Sequence, residues 1–173
     1  SKEQIEKIYI TASGGPFFNY NIKKFHNIKP RDAVKHPKWN MGKNNLIDSS
    51  NFINKILEIY ELSYLYNISL SKIDFLVSKE AFLHSVVQFE DSTISLNGFS
   101  NNMLITLSYP LTYLYSLKTI CNTNKYLNSS NLKLEIPLDK RFRFFSYYKK
   151  MKSLNHQEQI NLMLLNNQAQ TLY

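Results

Sequence analysis

The sequence predicts an α/β fold of the α+β kind, a mixed β-sheet with helices packed on it. Three observations predict it. The run Ile5–Ala12 (IEKIYITA) is rich in β-formers and stops at Ser13-Gly14-Gly15-Pro16, a strand running into a tight loop. Between Asp48 and Tyr66, residues Phe52, Ile53, Ile56, Leu57 and Tyr60 recur at helical spacing. Val86–Phe89 and Thr93–Leu96 flank Glu90-Asp91-Ser92, the pattern of a β-hairpin.

The remaining elements follow in order. Asn21–Ile28 suits a short helix. Pro30 suits the first turn of another, which runs through Ala33 to about Lys35. Pro37 bars helix through His36, so 36–45 is expected as a loop. Asp48–Tyr66 is expected as one continuous helix capped by Asp48 or Ser49. Its N-terminus then offers free N–H groups and a positive dipole to an anion beside Ser49. Asn54, Glu58 and Glu61 fall on a second face of that helix with Lys55 at its edge, although a plain solvated face shows the same pattern. Lys72–Val77 and Leu132–Ile136 read as strands, and Gln157–Gln170 as a final helix. Ser92–Leu117 holds no charged residue, yet Asn97, Asn101, Asn102, Ser108 and Pro110 interrupt it. No apolar run reaches the ~18 residues of a membrane span, so a buried strand, a loop and a core helix are expected there. No internal repeat and no linker stands out.

The 173 residues suit one domain, or one and a fraction. With 43% hydrophobic and 14% aromatic residues, a packed core is within reach and disorder is not expected. The net charge of +8 would attract phosphates, acidic membranes or nucleic acid. Only Arg31, Arg141 and Arg143 are arginines, however, and Asn, Lys, Ile and Tyr are abundant together, as in an AT-rich genome. Much of the charge therefore reads as a solvated surface. The clearest basic run, Asp139–Lys152, interleaves Lys140, Arg141, Arg143, Lys149, Lys150 and Lys152 with aromatic residues. Such a run can hold a single strand or form a half-buried helix, and nucleic acid ranks last among the partners considered. Cys121 stands alone, which excludes an internal disulfide and suits a reducing compartment. The first residues do not read as a signal peptide.

Residues 35–42, KHPKWNMG, hold the chain's one tryptophan, Trp39. Burial of an indole is worth several kcal/mol, so a tryptophan in a loop needs a docking place, either the core or a ligand. Taken alone, the segment favours the core. The two glycines of SGGP free backbone N–H groups to face an anion, though an ordinary turn has the same composition.

SGGPF at 13–17, KHPKWNMG at 35–42, IDSSNFINKILEIYE at 47–61 and FLVSKEAFLHSVVQFEDSTIS at 75–95 stand in a fixed order. Together they resemble the 1-deoxy-D-xylulose-5-phosphate (DXP) reductoisomerase family over about residues 8–117, with a weaker continuation to INLMLLNNQAQ. The resemblance implies a core catalytic domain over 1–120, with a lid loop at 35–45, and a divergent continuation over 121–173. It implies conversion of the phosphorylated ketose to 2-C-methyl-D-erythritol 4-phosphate with NADPH and Mg or Mn. It places the substrate phosphate on Ser13, Ser49, Asn54 and Lys55. His36 contacts its phosphate side and Trp39 closes over the substrate. The catalytic roles fall to His36, Trp39 and Lys55. Glu58 matches the last of three metal carboxylates, and Met41, Gly42 and Met103 fall on the cofactor side. The family context also implies a homodimer built on the sheet and a bacterial cytoplasm or a plastid.

Departures qualify these expectations. The family's NADPH-binding domain, its upstream Asp-Ser-Glu carboxylates and its terminal helical bundle have no counterpart in the sequence, so the chain alone is not expected to turn over. Ser78 stands where the resemblance expects a histidine, and Lys43-Asn44 where it expects two basic residues. Three readings result: a working piece of a reductoisomerase, a degenerate relative kept as a binding or subunit-interface module, and a basic nucleic-acid binder. Outside the quoted set, His84 reads as a core or dimer-face histidine, and His26 and His156 as surface residues. Glu61 reads as a neighbour of Glu58, and Cys121 as a structural thiol.

Overall fold

The computed structural model describes residues 4–36, 42–99, 102, 105, 108, 132–136 and 142–172. Trp39, Met41, Met103 and Cys121 lie outside the described residues, as does most of the core helix expected after Ser92.

Four strands form a mixed sheet in the order β2-β1-β3-β4: β1 (Ile5–Ala12), β2 (Ile73–Val77), β3 (Leu83–Phe89) and β4 (Ile94–Gly98). β1 runs parallel to β2, pairing Ile8 with Ile73 and Ala12 with Val77, and antiparallel to β3, pairing Ile10 with Ser85. Alternation dictates the buried face, because successive strand side chains point to opposite sides. Ile8, Ile10 and Ala12 of β1 and Ile73, Phe75 and Val77 of β2 are buried. The chain crosses from β1 to β2 through α1 (Pro30–Ala33), α2 (Lys43–Asn51) and α3 (Ile53–Tyr66), as a parallel pair requires. α3 covers the sheet with Ile56, Ile59 and Tyr60. α4 (Arg143–Lys152) adds Phe144 and Met151, and α5 (His156–Thr171) follows with a capping box between Asn155 and Glu158. The Tyr60 hydroxyl donates to the Met151 carbonyl at 2.6 Å, tying α3 to α4.

The expected fold class and hairpin are observed, and four local expectations are corrected. First, Asp48–Tyr66 is not one helix. Phe52 adopts a left-handed conformation, φ 69° and ψ 3°, and separates α2 from α3. Such a residue without glycine's freedom costs about 1–3 kcal/mol. Its ring is 2% exposed and meets Phe142 at 5.0 Å, Phe145 at 5.3 Å and Phe75 at 5.9 Å between centroids. Burying the ring contributes roughly 1.5–3 kcal/mol, and each well-placed aromatic pair adds ~0.5–1.5 kcal/mol, so packing wins over backbone preference. Second, residues 43–45, expected in a loop over 36–45, are helical, because α2 starts at Lys43 behind Gly42. Third, β4 is an exposed edge strand rather than a buried one, with Ile94 62% and Leu96 56% exposed. Fourth, Leu132–Ile136 contributes one antiparallel bridge, Glu135 with Val77, rather than a strand.

The basic aromatic run takes its helical alternative. Phe144 is buried and Phe145 and Tyr148 pack on the core, which leaves Arg143, Tyr147, Lys149 and Lys150 outward. Among the described residues no helix is long and apolar enough to cross a membrane.

Candidate functional site

The site begins at the carboxyl end of β1, where an α/β sheet opens a crevice. There the chain turns through Gly14 (φ 94°) and Gly15 (φ 69°). A β-carbon on Gly15 would stand 2.5 Å from the Ser49 carbonyl oxygen. Only glycine lets the turn lie against the last turn of α2, and that contact brings Ser13 and Ser49 to the same region. Past α1, His36 Nε2 reaches Ser13 Oγ at 3.1 Å.

The break at Phe52 shapes the rest. α3 begins afresh at Ile53, whose N–H is capped by Asn51 Oδ1 at 2.9 Å. Asn54 and Lys55 therefore occupy a first helical turn, where the helix dipole is positive. The helix start facing the site is that of α3, and Ser49 sits in the last turn of the preceding helix. The expected cap role of Asp48 or Ser49 is thus replaced. Asp48 is buried and accepts from Asn166 at 3.1 Å.

Ser13, His36, Ser49, Asn54, Lys55 and Glu58 all line one cleft of about 510 Å³, together with Asn45, Glu61, His84 and Phe99. A larger, mostly apolar cavity of about 800 Å³ is lined by Phe17, Phe142, Phe144 and neighbours and holds none of the predicted residues. The smaller cleft is the candidate site, because hydroxyl, amide, imidazole, ammonium and carboxylate groups converge there. Of the other sequence-predicted residues, Gly42 is exposed at the start of α2, where a β-carbon would meet no atom of the described residues within 4 Å.

Glu58 organises the charges. Lys55 Nζ donates to Glu58 Oε2 at 2.7 Å, and the Asn54 side-chain amide donates to Glu58 Oε1. The Lys55 side chain is 15% exposed and that of Glu58 35%. Burial, then the Lys55 ammonium, hold the His36 imidazole below its ordinary value. His84 is also lowered, mainly by burial and then by Lys55, while its bond to the Phe82 carbonyl acts the other way. Both histidines therefore favour the neutral form, and a dianion placed among them would reverse that preference. The cleft can take an anion on Ser13, Ser49, Asn54 and Lys55, provided that Asn54 and Lys55 share their donors with Glu58.

A hard divalent cation needs about six oxygen ligands, several of them carboxylate in an all-protein site. The cleft supplies Glu58, with both oxygens already engaged, and the exposed Glu61. Among the described residues no group of three His, Cys, Asp or Glu could hold a metal. The donors present thus form part of a metal site at most.

Sequence reasoning assigned His84 to the core or a dimer face, whereas it lines the cleft, stacked on Phe99 with centroids 3.6 Å apart. Its Nδ1–H donates to the Phe82 carbonyl at 2.7 Å, which leaves Nε2 as the acceptor. The available signal was topological: β3 starts where β1 ends, so its first residues border the same crevice. Ser78 is fully buried, its hydroxyl finds no hydrogen-bond partner among the described residues, and it is absent from the cleft lining.

Comparison with known proteins bears on the family and the fold. A family model described as the 1-deoxy-D-xylulose 5-phosphate reductoisomerase C-terminal domain matches residues 1–66. The 1-deoxy-D-xylulose 5-phosphate reductoisomerase of Clostridium novyi is 41% identical over 143 residues, covering 83% of this chain and 37% of that protein. The Pelagibacter ubique enzyme is 39% identical over 134 residues, covering 78% and 32%. A DOX-P reductoisomerase crystallised with NADPH, fosmidomycin and magnesium superposes with a TM-score of 0.78 at 27% identity, over 88% of this chain and 37% of that one. The Zymomonas mobilis enzyme, in complex with NADPH, gives 0.73 at 28% identity, over 86% and 38%. The chain spans about a third of the length of these relatives. Motif order, sequence identity and fold point the same way, and the chain belongs to the DXP reductoisomerase family.

Proposed function

We propose that this chain forms the substrate-phosphate half of a DXP reductoisomerase catalytic cleft. The observation that carries the reading is the convergence of Ser13, His36, Ser49, Asn54, Lys55 and Glu58 on one cleft. These residues are spread over 46 sequence positions, from 13 to 58, and arrive on a loop, a helix end and a helix start.

Each group has a part that follows from its chemistry. The Ser13 and Ser49 hydroxyls and the Asn54 amide donate to phosphate oxygens, and the Lys55 ammonium neutralises charge. The first turn of α3 adds its dipole. Neutral His36 hydrogen-bonds Ser13 and orients its hydroxyl toward the anion. Trp39 closes over the bound sugar and excludes water, acting with Met41 as part of a lid. Glu58 contributes one carboxylate to a Mg or Mn site whose other ligands come from outside the described residues. NADPH would approach from the side of Met41, Gly42 and Met103. When bound, these groups supply the Lewis acid and the hydride of the family's reaction; the residues of this chain bind and orient the substrate. On this reading the remaining machinery, the cofactor-binding domain included, lies on other residues of a longer protein or on a partner. The exposed edge strand β4 is the surface a second copy would pair with. The compartment on this reading is the bacterial cytoplasm or a plastid.

The test uses Trp39, the single tryptophan. Titration with fosmidomycin in the presence of Mn²⁺ should quench its fluorescence saturably, and Lys55→Met should abolish the quench. An unchanged signal at saturating ligand would end the reading.

One observation favours a degenerate binding module instead. Ser78, buried with no hydroxyl partner among the described residues, replaces the histidine that the family resemblance calls for. A chain that folds and self-associates, yet binds neither phosphate nor fosmidomycin, would establish that alternative. For the nucleic-acid reading, α4 turns most of its aromatics inward and leaves Tyr147, 60% exposed, as its displayed ring.

A further inference from the structure

Ser49 faces the cleft from the last turn of α2, and Asp48 leaves the same turn on another side. Asp48 is 4% exposed. Asn166 of α5 donates through Nδ2 to both of its carboxylate oxygens at 3.1 Å. One turn further along α5, Gln170 Nε2 donates to the Asn44 carbonyl at 3.4 Å, and the same side chain gives the Asp48 carboxylate a second, weaker hydrogen bond beside that of Asn166. α5 therefore holds α2 near its first turn and near its last. On the cleft side, Gly15 lies against the Ser49 carbonyl. The turn that carries Ser49 is gripped between a glycine loop and an amide 118 residues further along the chain.

The fully buried residues of α5 are polar, although Leu162, partly buried, packs against the core. They are Gln159 and Gln170, while Met163, Leu164 and Leu165 are 48%, 58% and 63% exposed. Apolar packing is indifferent to small rotations, whereas a charge-assisted hydrogen bond has a preferred direction. Successive residues on a helix stand ~100° apart, so a change in the direction of Asp48 swings the Ser49 hydroxyl with it.

We infer that Asn166 is a positioning residue for the anion site: by holding the buried carboxylate of Asp48, it sets the rotation of α2 and so the direction of the Ser49 hydroxyl. The inference rests on the reading of Ser49 as an anion ligand. It gives the C-terminal helix, remote in sequence from the cleft, a part in binding.

The test compares Ser49→Ala, Asn166→Leu, Asn166→Asp, the exchange Asn166→Asp with Asp48→Asn, and Ser49→Ala with Asn166→Leu. The dissociation constant for inorganic phosphate is measured by calorimetry below the unfolding range of every variant, with the thermal midpoint alongside. Asn166→Leu and Asn166→Asp should weaken phosphate roughly tenfold, about as much as Ser49→Ala. The exchange variant, in which amide and carboxylate trade places, should recover most of that loss. Asn166→Leu should add nothing once Ser49 is alanine, as two changes acting through one contact do not add. If Asn166→Asp does not fold, Asn166→Leu and its double variant decide alone. A lowered midpoint with unchanged phosphate affinity would make Asn166 merely structural and overturn the inference. No phosphate binding by the unsubstituted chain, or Ser49→Ala without effect, would sink the site reading and the inference with it.

Discussion

Gly15 stands where no side chain fits. Its φ of 69° already disfavours any L-residue, and a β-carbon would meet the Ser49 carbonyl at 2.5 Å. Backbone is on both sides of the contact, so neither partner yields by a rotamer change. Gly15→Ala should cost about 1–3 kcal/mol in urea unfolding and also weaken phosphate, because relief comes only by parting the loop from α2. Gly42→Ala, where a β-carbon would meet none of the described residues, should change little. Glu58 supports a second prediction at this scale. Its carboxylate occupies Lys55 and Asn54, so without divalent ions it competes with phosphate for both donors. In EDTA, calorimetry should show Glu58→Gln binding phosphate several-fold more tightly than the parent, and Lys55→Met more than tenfold more weakly, as expected for a charge-assisted bond. Tighter binding by the parent would mean that Glu58 orients Lys55 rather than competes for it. The six cleft residues were legible because motif order carries them. His84 was not, because nothing in a single strand shows which neighbour's end it borders.

The break between α2 and α3 is the element on which the site depends. Helical spacing runs unbroken through Phe52, and no glycine or proline marks the spot, so the sequence reads as one helix. The left-handed turn is imposed from outside, by Phe75 of β2 and by Phe142 and Phe145 at the head of α4. Partners 23 to 93 positions away leave no local signature. Elements specified by local chemistry, such as β1, the 90–92 hairpin and the capped α5, were legible, and an element boundary set by tertiary packing was not. The two energies predict different outcomes for Phe52→Gly. If backbone strain dominated, glycine would stabilise the chain by about 1 kcal/mol. The ring is buried among five phenylalanines, counting Phe18 and Phe144, so removing it should cost ~3–5 kcal/mol, and the net change in urea unfolding should be a loss of at least ~2 kcal/mol. A neutral or stabilising outcome would show that the ring does not hold the break.

At the scale of the whole molecule, the cleft couples stability to pH. Burial and Lys55 lower His36 and His84 below the ordinary imidazole value of 6.5. The unfolded chain therefore binds protons before the folded one does as pH falls. Stability should drop through about pH 6.5 and level off once pH passes below the folded-state values, the opposite of a histidine that gains an acidic partner. Asp48 has the other sign: burial raises it above 3.8, so it favours the folded state only at lower pH, where its carboxyl is protonated. From pH 7.5 to 5.5 the histidines should dominate, and the thermal midpoint should fall. Sulfate supplies the discriminating arm, since it stays doubly charged over this range. Its general salting-out effect raises the midpoint at every pH alike, whereas an anion seated between His36, His84 and Lys55 stabilises their protonated forms and flattens the slope. The slope, rather than the midpoint, is therefore the readout. It should be steep in chloride and shallow in sulfate at matched ionic strength, and already reduced in chloride by His36→Asn. A slope that sulfate leaves untouched would place the anion away from the two imidazoles, and with it the substrate phosphate.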